Sequence, residues 1–328
     1  MTEYGAQAIG IANLAMDGTV LDTWYPHPEL VTDNQFKAPK SLHRGGHRAQ
    51  EPLTNIVSGT VRLGAQDLSN NMLKLVTLDE DRRVEQVAVH TTIADLRAEP
   101  IDAHDVYLRL HLLSHRLVKP HELNMDGAVE RLANVVWTNK GPCTPENFES
   151  VRTNLRSRGL IHVYSIDRLP RMVDYVVPSG VHIAEAERVR LGAYLAPGTV
   201  VQREGFVSYN SGSLGAARIE GRLSSAVVLG QGTHLELSAS VLAGRHKTGS
   251  RIPVTIGEHC TFGVASGVIG LSLGDHCTIG ANVILEPDTK VWDVDAEQLV
   301  RAAELQGRSK MRVAHEPGRA EPVVRAKL

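Results

Sequence analysis

The sequence predicts a mixed chain: an N-terminal α/β domain, then a parallel β-helix of hexapeptide repeats, then a short C-terminal capping segment. Three observations carry this. Aliphatic residues recur every six positions between Ile183 and Val291. Aromatic residues make up only 4% of the chain, too few for a conventional layered core over its whole length. The first half has no such rhythm and reads instead as strands and helices. The boundaries fall at 1–170, 171–294 and 295–328, the two large domains matching the usual ~100–200 residues per domain.

In the first domain, residues 6–24 and 83–95 read as strands. VEQVAVHTTI, residues 84–93, partly alternates apolar and polar side chains, as a half-buried strand does. About residues 27–60 hold prolines, histidines and scattered basic groups without periodicity, which predicts a long loop or disordered insertion. Residues 105–120 predict a helix: Val106, Leu110, Leu113 and Leu117 share one face, and Pro120 ends it. His111 and His115 stand four apart on it, but the glutamate of an HExxH zinc motif is missing. A second helix is expected over 126–136. A third opens at Thr144-Pro145-Glu146, a cap followed by proline at the first helical position.

From Ile183 the six-residue phase takes over. Its anchors are Ile183, Val189, Leu195, Val201 and Val207; then Leu223, Leu229, Leu235 and Val241; then Ile256, Phe262 and Val268; and, after a one-residue slip, Leu273, Ile279, Leu285 and Val291. Small or thiol side chains follow four positions after many anchors, among them Thr199, Thr233, Cys260 and Cys277. Glycine is common one position after them, as at Gly230, Gly257 and Gly274. Six is the period of hexapeptide β-helices, in which three hexads make a coil and coils stack at the inter-strand spacing. The span allows about five coils, or ~25 Å of prism. Cys260 and Cys277 fall at core-filling positions, so neither reads as a nucleophile.

Composition narrows the function. A net charge of −2 gives no electrostatic case for nucleic acid or an anionic membrane. Three cysteines cannot make a disulfide framework. The start MTEYGAQAIG lacks the features of a signal peptide, and no apolar run approaches the ~18 residues of a membrane span. A cytoplasmic protein is expected.

Six strings, YLRLHLLSHRLVKPH (107–121), NVVWTNKGPC (134–143), PRMVDYVVPSGV (170–181), RVRLGAYLAPGT (188–199), EGFVSYNSGSLGA (204–216) and IEGRLS (219–224), resemble the tetrahydrodipicolinate N-succinyltransferase family in its actinobacterial form. The resemblance implies a left-handed β-helix; general chirality rules alone do not supply that hand. It also implies a homotrimer with active sites between neighbours. The implied reaction carries succinyl from succinyl-CoA, the co-substrate, to the amino group of L-2-amino-6-oxopimelate, the open form of tetrahydrodipicolinate. That is a step of lysine and diaminopimelate synthesis.

An amine attacks a thioester as the free base, so the site needs a proton acceptor. Glu220 falls on the family's catalytic glutamate, at a break in the hexad phase where a loop is expected to leave the prism. Two arginines, Arg218 and Arg222, flank it. Direct transfer with Glu220 as base is the favoured route, and an acyl group carried on Glu220 is the other. By the same resemblance Arg222 and Ser240 fall on the acyl-CoA side of the site; Val264 and Ala281, in strings that depart from the family, and Arg301, in a basic group, are further cofactor-binding candidates. Asn210, Ser211 and Gly212 lie in a substrate loop. Glu187 and Glu204 align with carboxylates that hold a divalent cation, Mg²⁺, at the trimer axis; glutamate stands at the first position where relatives carry aspartate, and it occupies a hexad position that expects a small side chain.

Beyond residue 236 the resemblance thins. Leu235-Glu236-Leu237-Ser238-Ala239-Ser240 replaces a glycine-rich string, and Gly280-Ala281 replaces a glutamate-alanine pair in the CoA channel. These departures leave open another acyl donor, another amine acceptor, or a catalytically weak structural subunit. Two basic groups, the loop 244–253 and Arg301, Arg308, Lys310 and Arg312, are candidates for the CoA phosphates.

Overall fold

The computed structural model describes residues 5–31, 57–247 and 249–326. Most of the insertion expected at about 27–60 lies outside the described residues. The chain forms two compact units, Met1–Leu112 with Glu122–Pro170, and Leu113–His121 with Arg171–Leu328.

The first unit is built on an antiparallel sheet. Its central strand Gly5–Ala15 pairs with Val84–Ile93 along ten residues, from Ala6↔Ile93 to Ala15↔Val84, and with Val20–Trp24 on its other edge. The expected long helix spans Ala103–Ser114 and stops six residues before Pro120, because Arg116 adopts the left-handed conformation (φ 63°). It is buried nearly all round rather than along one stripe. Arg109 is sealed at 0% exposure, bonded to Asp105 (2.6 Å) and to the carbonyls of Leu96 and Asn124. Both ring nitrogens of His111 are used, Nδ1 donating to Tyr107 O (2.7 Å) and Nε2 accepting from Tyr25 N (3.2 Å). The His111/His115 pair therefore builds no metal site.

The helix expected at 126–136 is not formed. A 3-10 turn, Val129–Arg131, gives way to the strand Val135–Thr138. This VVWT run is β-branched and aromatic, and pairing with Gly141–Cys143 and Val163–Asp167 overrides the helical expectation. The third helix starts at Phe148, after Asn147 in the left-handed region (φ 58°), and buries Phe148, Val151 and Leu155 on one face.

The second unit is a three-faced parallel β-helix. Face one stacks Ile183, Val201, Ile219, Leu235, Phe262 and Ile279 in register. Face two stacks Val189, Val207, Leu223, Val241, Val268 and Leu285. Face three stacks Leu195, Ser213, Leu229 and Ile256, and a bridge adds Leu273. These positions are 0–3% exposed apart from half-buried Ile183 at the open end. Thr199, Thr233, Cys260 and Cys277 fill the axis at 0%. Hydrogen bonding with Cys277 and burial push the Cys260 thiol far up, as befits a core filler. Five intervals separate Ile183 from Ile279, as the repeat length predicts. After Ile279 the strand Met311–Ala314 continues face one (Ile279↔Val313), and Val323–Ala326 pairs antiparallel with it.

Coil length varies at the corners. Ile183, Val201 and Ile219 are 18 residues apart in turn, but Ile219 and Leu235 only 16. Leu235 and Phe262 are 27 apart, Phe262 and Ile279 17. The long coil carries a hairpin, Gly244–Arg245 against Arg251–Ile252, at the corner between faces two and three. The short coil loses its two residues between Ile219 and Leu223. The loop expected to leave the prism around Glu220 is thus the reverse, a corner drawn in.

Glycines after the anchors serve close stacking: a Cβ on Gly230 would lie 2.6 Å from Gly257 C, and one on Gly257 2.6 Å from Gly274 C. The left-handed corner positions are filled by Asn210, Ala226, Ser238, His259, Ala265, His276 and Asn282.

Two tests follow from these contacts. At the drawn-in corner a Cβ on Gly221 would sit 2.0 Å from Ala239 O, whereas one on Gly59 meets nothing within 4 Å. Gly221→Ala should lower the thermal midpoint by the equivalent of about 1–3 kcal/mol, against about 0.5 kcal/mol or less for Gly59→Ala. In the first unit, burial pushes the Asp79 carboxyl up, but hydrogen bonds from Arg158 (2.7 Å) and Arg82 (2.6 Å) outweigh it and hold it at about 2, below its ordinary 3.8. The unfolded chain binds the extra proton, so this stabilisation is complete above about pH 4 and is lost as pH falls through about 2. Urea titrations should show a steeper loss of stability from about pH 4 to 2 in the parent than in Asp79→Asn, which should already be about 1.5–3 kcal/mol weaker at neutral pH.

Candidate active site

Glu220 follows the face-one anchor Ile219 and stands on the ridge between faces one and two. Its N–H donates to Leu235 O (2.9 Å), and Arg222 N donates to Ala239 O (2.7 Å), so both ends of the short corner are fixed to the coil beneath. The coils on either side keep full corners, with Arg203 and Glu204 on one and Leu237 and Ser238 on the other. Missing two residues, the Glu220 corner is recessed between them. Its side chain is 21% exposed, against 81% for Arg203 and 56% for Glu204. A carboxylate in such a recess is reachable by a small molecule and partly shielded from solvent.

The flanking arginines, equivalent in sequence, have different partners. Arg218 points outward from face one and forms an ion pair with Glu220 Oε1. Arg222 points outward from face two, and its guanidinium lies 4.3 Å above the centroid of the Phe206 ring, a cation–π contact. Arg218 is half exposed, so its pair with Glu220 contributes about 0.2–1 kcal/mol. The next outward residue in register with Arg218 is His234, and with Arg222 it is Ser240. The carboxylate therefore has one cationic face on each side of its ridge. Such an arrangement can accept a proton and bind anionic groups in two directions.

The other expected site residues divide between locations. Val264 and Ala281 stack on the Glu220 ridge two and three coils further along, joined by Asn282 N donating to Val264 O (3.0 Å). Val264 is 48% exposed, and Leu237 beside it 44%. Ser240 is on face two, as noted. Arg301 is elsewhere, on the strand Gln298–Arg301, opposite Lys290 and 3.8 Å from Asp288. The basic hairpin with Arg245 and Arg251 is at the corner between faces two and three, across face two from Glu220.

Asn210, Ser211 and Gly212 also lie at that second corner, not beside Glu220, and their surroundings are structural. Asn210 takes the left-handed position and accepts from His121 N (3.3 Å). Ser211 is fully buried and donates to Ser208 O (2.8 Å). Gly212 is required by close approach, since a Cβ would lie 1.8 Å from Tyr194 O.

Glu187 and Glu204 each have a cationic neighbour within the single chain. Glu187 accepts from Arg171 (2.9 Å) and Glu204 lies 3.6 Å from Arg188, so each carboxylate already has a guanidinium counter-charge. Its own backbone N–H and Arg171 hold Glu187 below the ordinary carboxylate range. A 3-10 turn, Ala186–Arg188, turns Glu187 out to solvent instead of into the hexad core. Among the described residues no group of three His, Cys, Asp or Glu side chains could hold a metal ion.

Two features escaped the sequence reading. The aliphatic phase from Val207 continues through position 213, where Ser213 hides it; this fully buried hydroxyl is bonded to Thr199 Oγ1 at 2.6 Å. Counting on to Ile219 would have shown that the phase breaks after Ile219, at Glu220 itself. Glu236, in a string that departs from the family, occupies the position in register with Glu220 on the next coil.

Comparison with known proteins places this geometry. Residues 132–171 match the family model described as tetrahydrodipicolinate N-succinyltransferase middle, and 253–287 match the hexapeptide repeat of succinyl-transferase. A 2,3,4,5-tetrahydropyridine-2,6-dicarboxylate N-succinyltransferase of Salinispora tropica is 45% identical over 234 residues, 71% of this chain and 66% of that protein. The Pseudomonas aeruginosa enzyme of the same name is 35% identical over 305 residues, 92% of this chain and 88% of its own length. A Campylobacter jejuni structure assigned as a 2,3,4,5-tetrahydropyridine-2-carboxylate N-succinyltransferase superposes with a TM-score of 0.80 at 22% identity, covering 99% of this chain and 93% of that one. That likeness concerns the fold, a left-handed parallel β-helix and an α/β domain that precedes it in sequence. The chain belongs to the tetrahydrodipicolinate N-succinyltransferase family.

Proposed function

We propose that this protein transfers succinyl from succinyl-CoA to the amino group of tetrahydrodipicolinate, in its open form L-2-amino-6-oxopimelate, in lysine and diaminopimelate synthesis. The observation that carries the reading is the recessed Glu220 with cationic groups on both adjoining faces. Relatives that align with 71% and 92% of the chain bear the name of this activity.

Glu220 acts as the general base. The acceptor nitrogen attacks the thioester carbonyl, an N–C bond forms and the C–S bond breaks. The proton lost by nitrogen passes to Glu220 and on to the departing CoA thiolate, so the carboxylate is regenerated. Direct transfer needs no acyl-enzyme. Arg222 and Ser240, in register on face two, serve the acyl donor, with Val264 and Ala281 along the ridge. The working form is a homotrimer in the cytoplasm. Exposed Leu237 and Val264 on the ridge support burial of this edge against a second copy. Among the described residues no helix is long and apolar enough to cross a membrane.

The test follows thiol release from succinyl-CoA or acetyl-CoA with 2-aminopimelate as acceptor. Release is expected with succinyl-CoA, and Glu220→Gln should lower kcat by about 10²–10⁴-fold, the usual contribution of a general base. Full turnover in Glu220→Gln would remove Glu220 from the mechanism, and no release with either donor would sink the enzyme reading.

A further inference from the structure

We propose that Arg218 and Glu220 together form the receptor for the α-amino-acid end of the acceptor. In the free protein this receptor is closed on itself, and the acceptor's own α-carboxylate opens it. The proposal rests on the acyl-transfer reading and assigns a substrate-binding role to Arg218.

The argument starts from the unequal partners of the two arginines. Arg222 is occupied by the Phe206 ring and lies on face two, away from Glu220. Arg218 is bonded to the carboxylate that must accept a proton. While the pair is closed, one oxygen of the base is held by a guanidinium and is not free to accept a hydrogen bond from an amine. The pair is easily exchanged, because Arg218 is half exposed and an ion pair in solvent is weak. A planar guanidinium also binds an incoming carboxylate through two parallel hydrogen bonds, which Glu220, held two residues away on the same chain, does not offer through its single oxygen.

The surroundings favour an anion on this face. The outward positions in register with Arg218 along face one are Val200, His234, Thr261 and Thr278, none of them acidic. Among the described residues Glu220 is the one carboxylate paired with Arg218. An α-amino acid carries its nitrogen and its carboxylate on one carbon. A carboxylate that displaces Glu220 from Arg218 therefore places the reacting nitrogen against the freed Glu220. Binding and activation are one event: the group that releases the base also delivers the amine to it. With donor alone the base stays tied, so the thioester is not exposed to Glu220-assisted hydrolysis.

Calorimetric titration with 2-aminopimelate and pimelate tests this without any chemical step. Glu220→Gln, which breaks the charge pair, should bind pimelate, a carboxylate with no amine to lose a partner, several-fold tighter than the parent. Arg218→Gln should bind 2-aminopimelate about tenfold weaker or worse, with Arg218→Lys between, as loss of a bidentate charged contact dictates. 6-Aminohexanoate, which keeps the amine and the distal carboxylate but lacks the α-carboxylate, should bind Arg218→Gln no more weakly than the parent. Unchanged or weaker binding of pimelate to Glu220→Gln overturns the proposal, as does an equal loss of both amine ligands in Arg218→Gln. The two readings fail separately. Flat binding with thiol release still lost in Glu220→Gln sinks the receptor and spares the activity, whereas the predicted binding pattern without thiol release does the converse.

Discussion

Every coil of the β-helix must meet the next in register on three faces at once. The backbone N–H and C=O groups of each short strand point along the axis and are satisfied by the neighbouring coil, so a slip of one residue on any face would orphan several of them and turn an anchor outward. The faces therefore admit no change in length, and all variation is forced into the corners. The observed separations of 18, 16, 27 and 17 residues between face-one anchors obey this rule. Neither the hairpin at 244–252 nor the drawn-in corner at Glu220 disturbs the anchors on either side.

The candidate site is a product of that constraint. Removing two residues from one corner leaves its neighbours standing proud, and the recess so formed shelters a carboxylate without burying it. Face geometry then decides what surrounds it. Arg218 and Arg222 are four residues apart in sequence, yet the ridge sends them to different faces, one onto Glu220 and the other onto Phe206. No deep hydrophobic pocket is needed to give these groups distinct partners, and the exposed ion pair is a weak one.

Much of the second unit was legible because its signal is repeated: the anchors from Val189 to Val291 are buried as the six-residue phase requires. What misled was a polar anchor. Ser213 can sit in the core because Thr199 satisfies its hydroxyl, and that compensation is visible only in three dimensions. The break was consequently read as an outgoing loop. In the first unit the errors lay in competition between local and tertiary preferences. Val135–Thr138 was drawn from a helix into a sheet by its partners, and the long helix was cut short by a left-handed Arg116 that no local rule marks. Glu220 stands out in the sequence through resemblance alone; its pairing does not, since Arg218 and Arg222 are symmetric about it. Asn210, Ser211 and Gly212, matched by the same resemblance, are also held by the architecture.

The hairpin Gly244–Ile252 has a wider consequence. An inserted segment left the pairs Leu229↔Ile256, Leu235↔Phe262 and Val241↔Val268 intact, so the scaffold does not register how many residues a corner contains. Evolution can then vary such an enzyme by insertion and deletion as freely as other folds vary by point substitution. A lengthened corner adds a flap, a shortened one opens a niche, and neither obliges the core to adapt. Divergence of substrate in a lineage built this way should be recorded less in its side chains than in the spacing between its anchors.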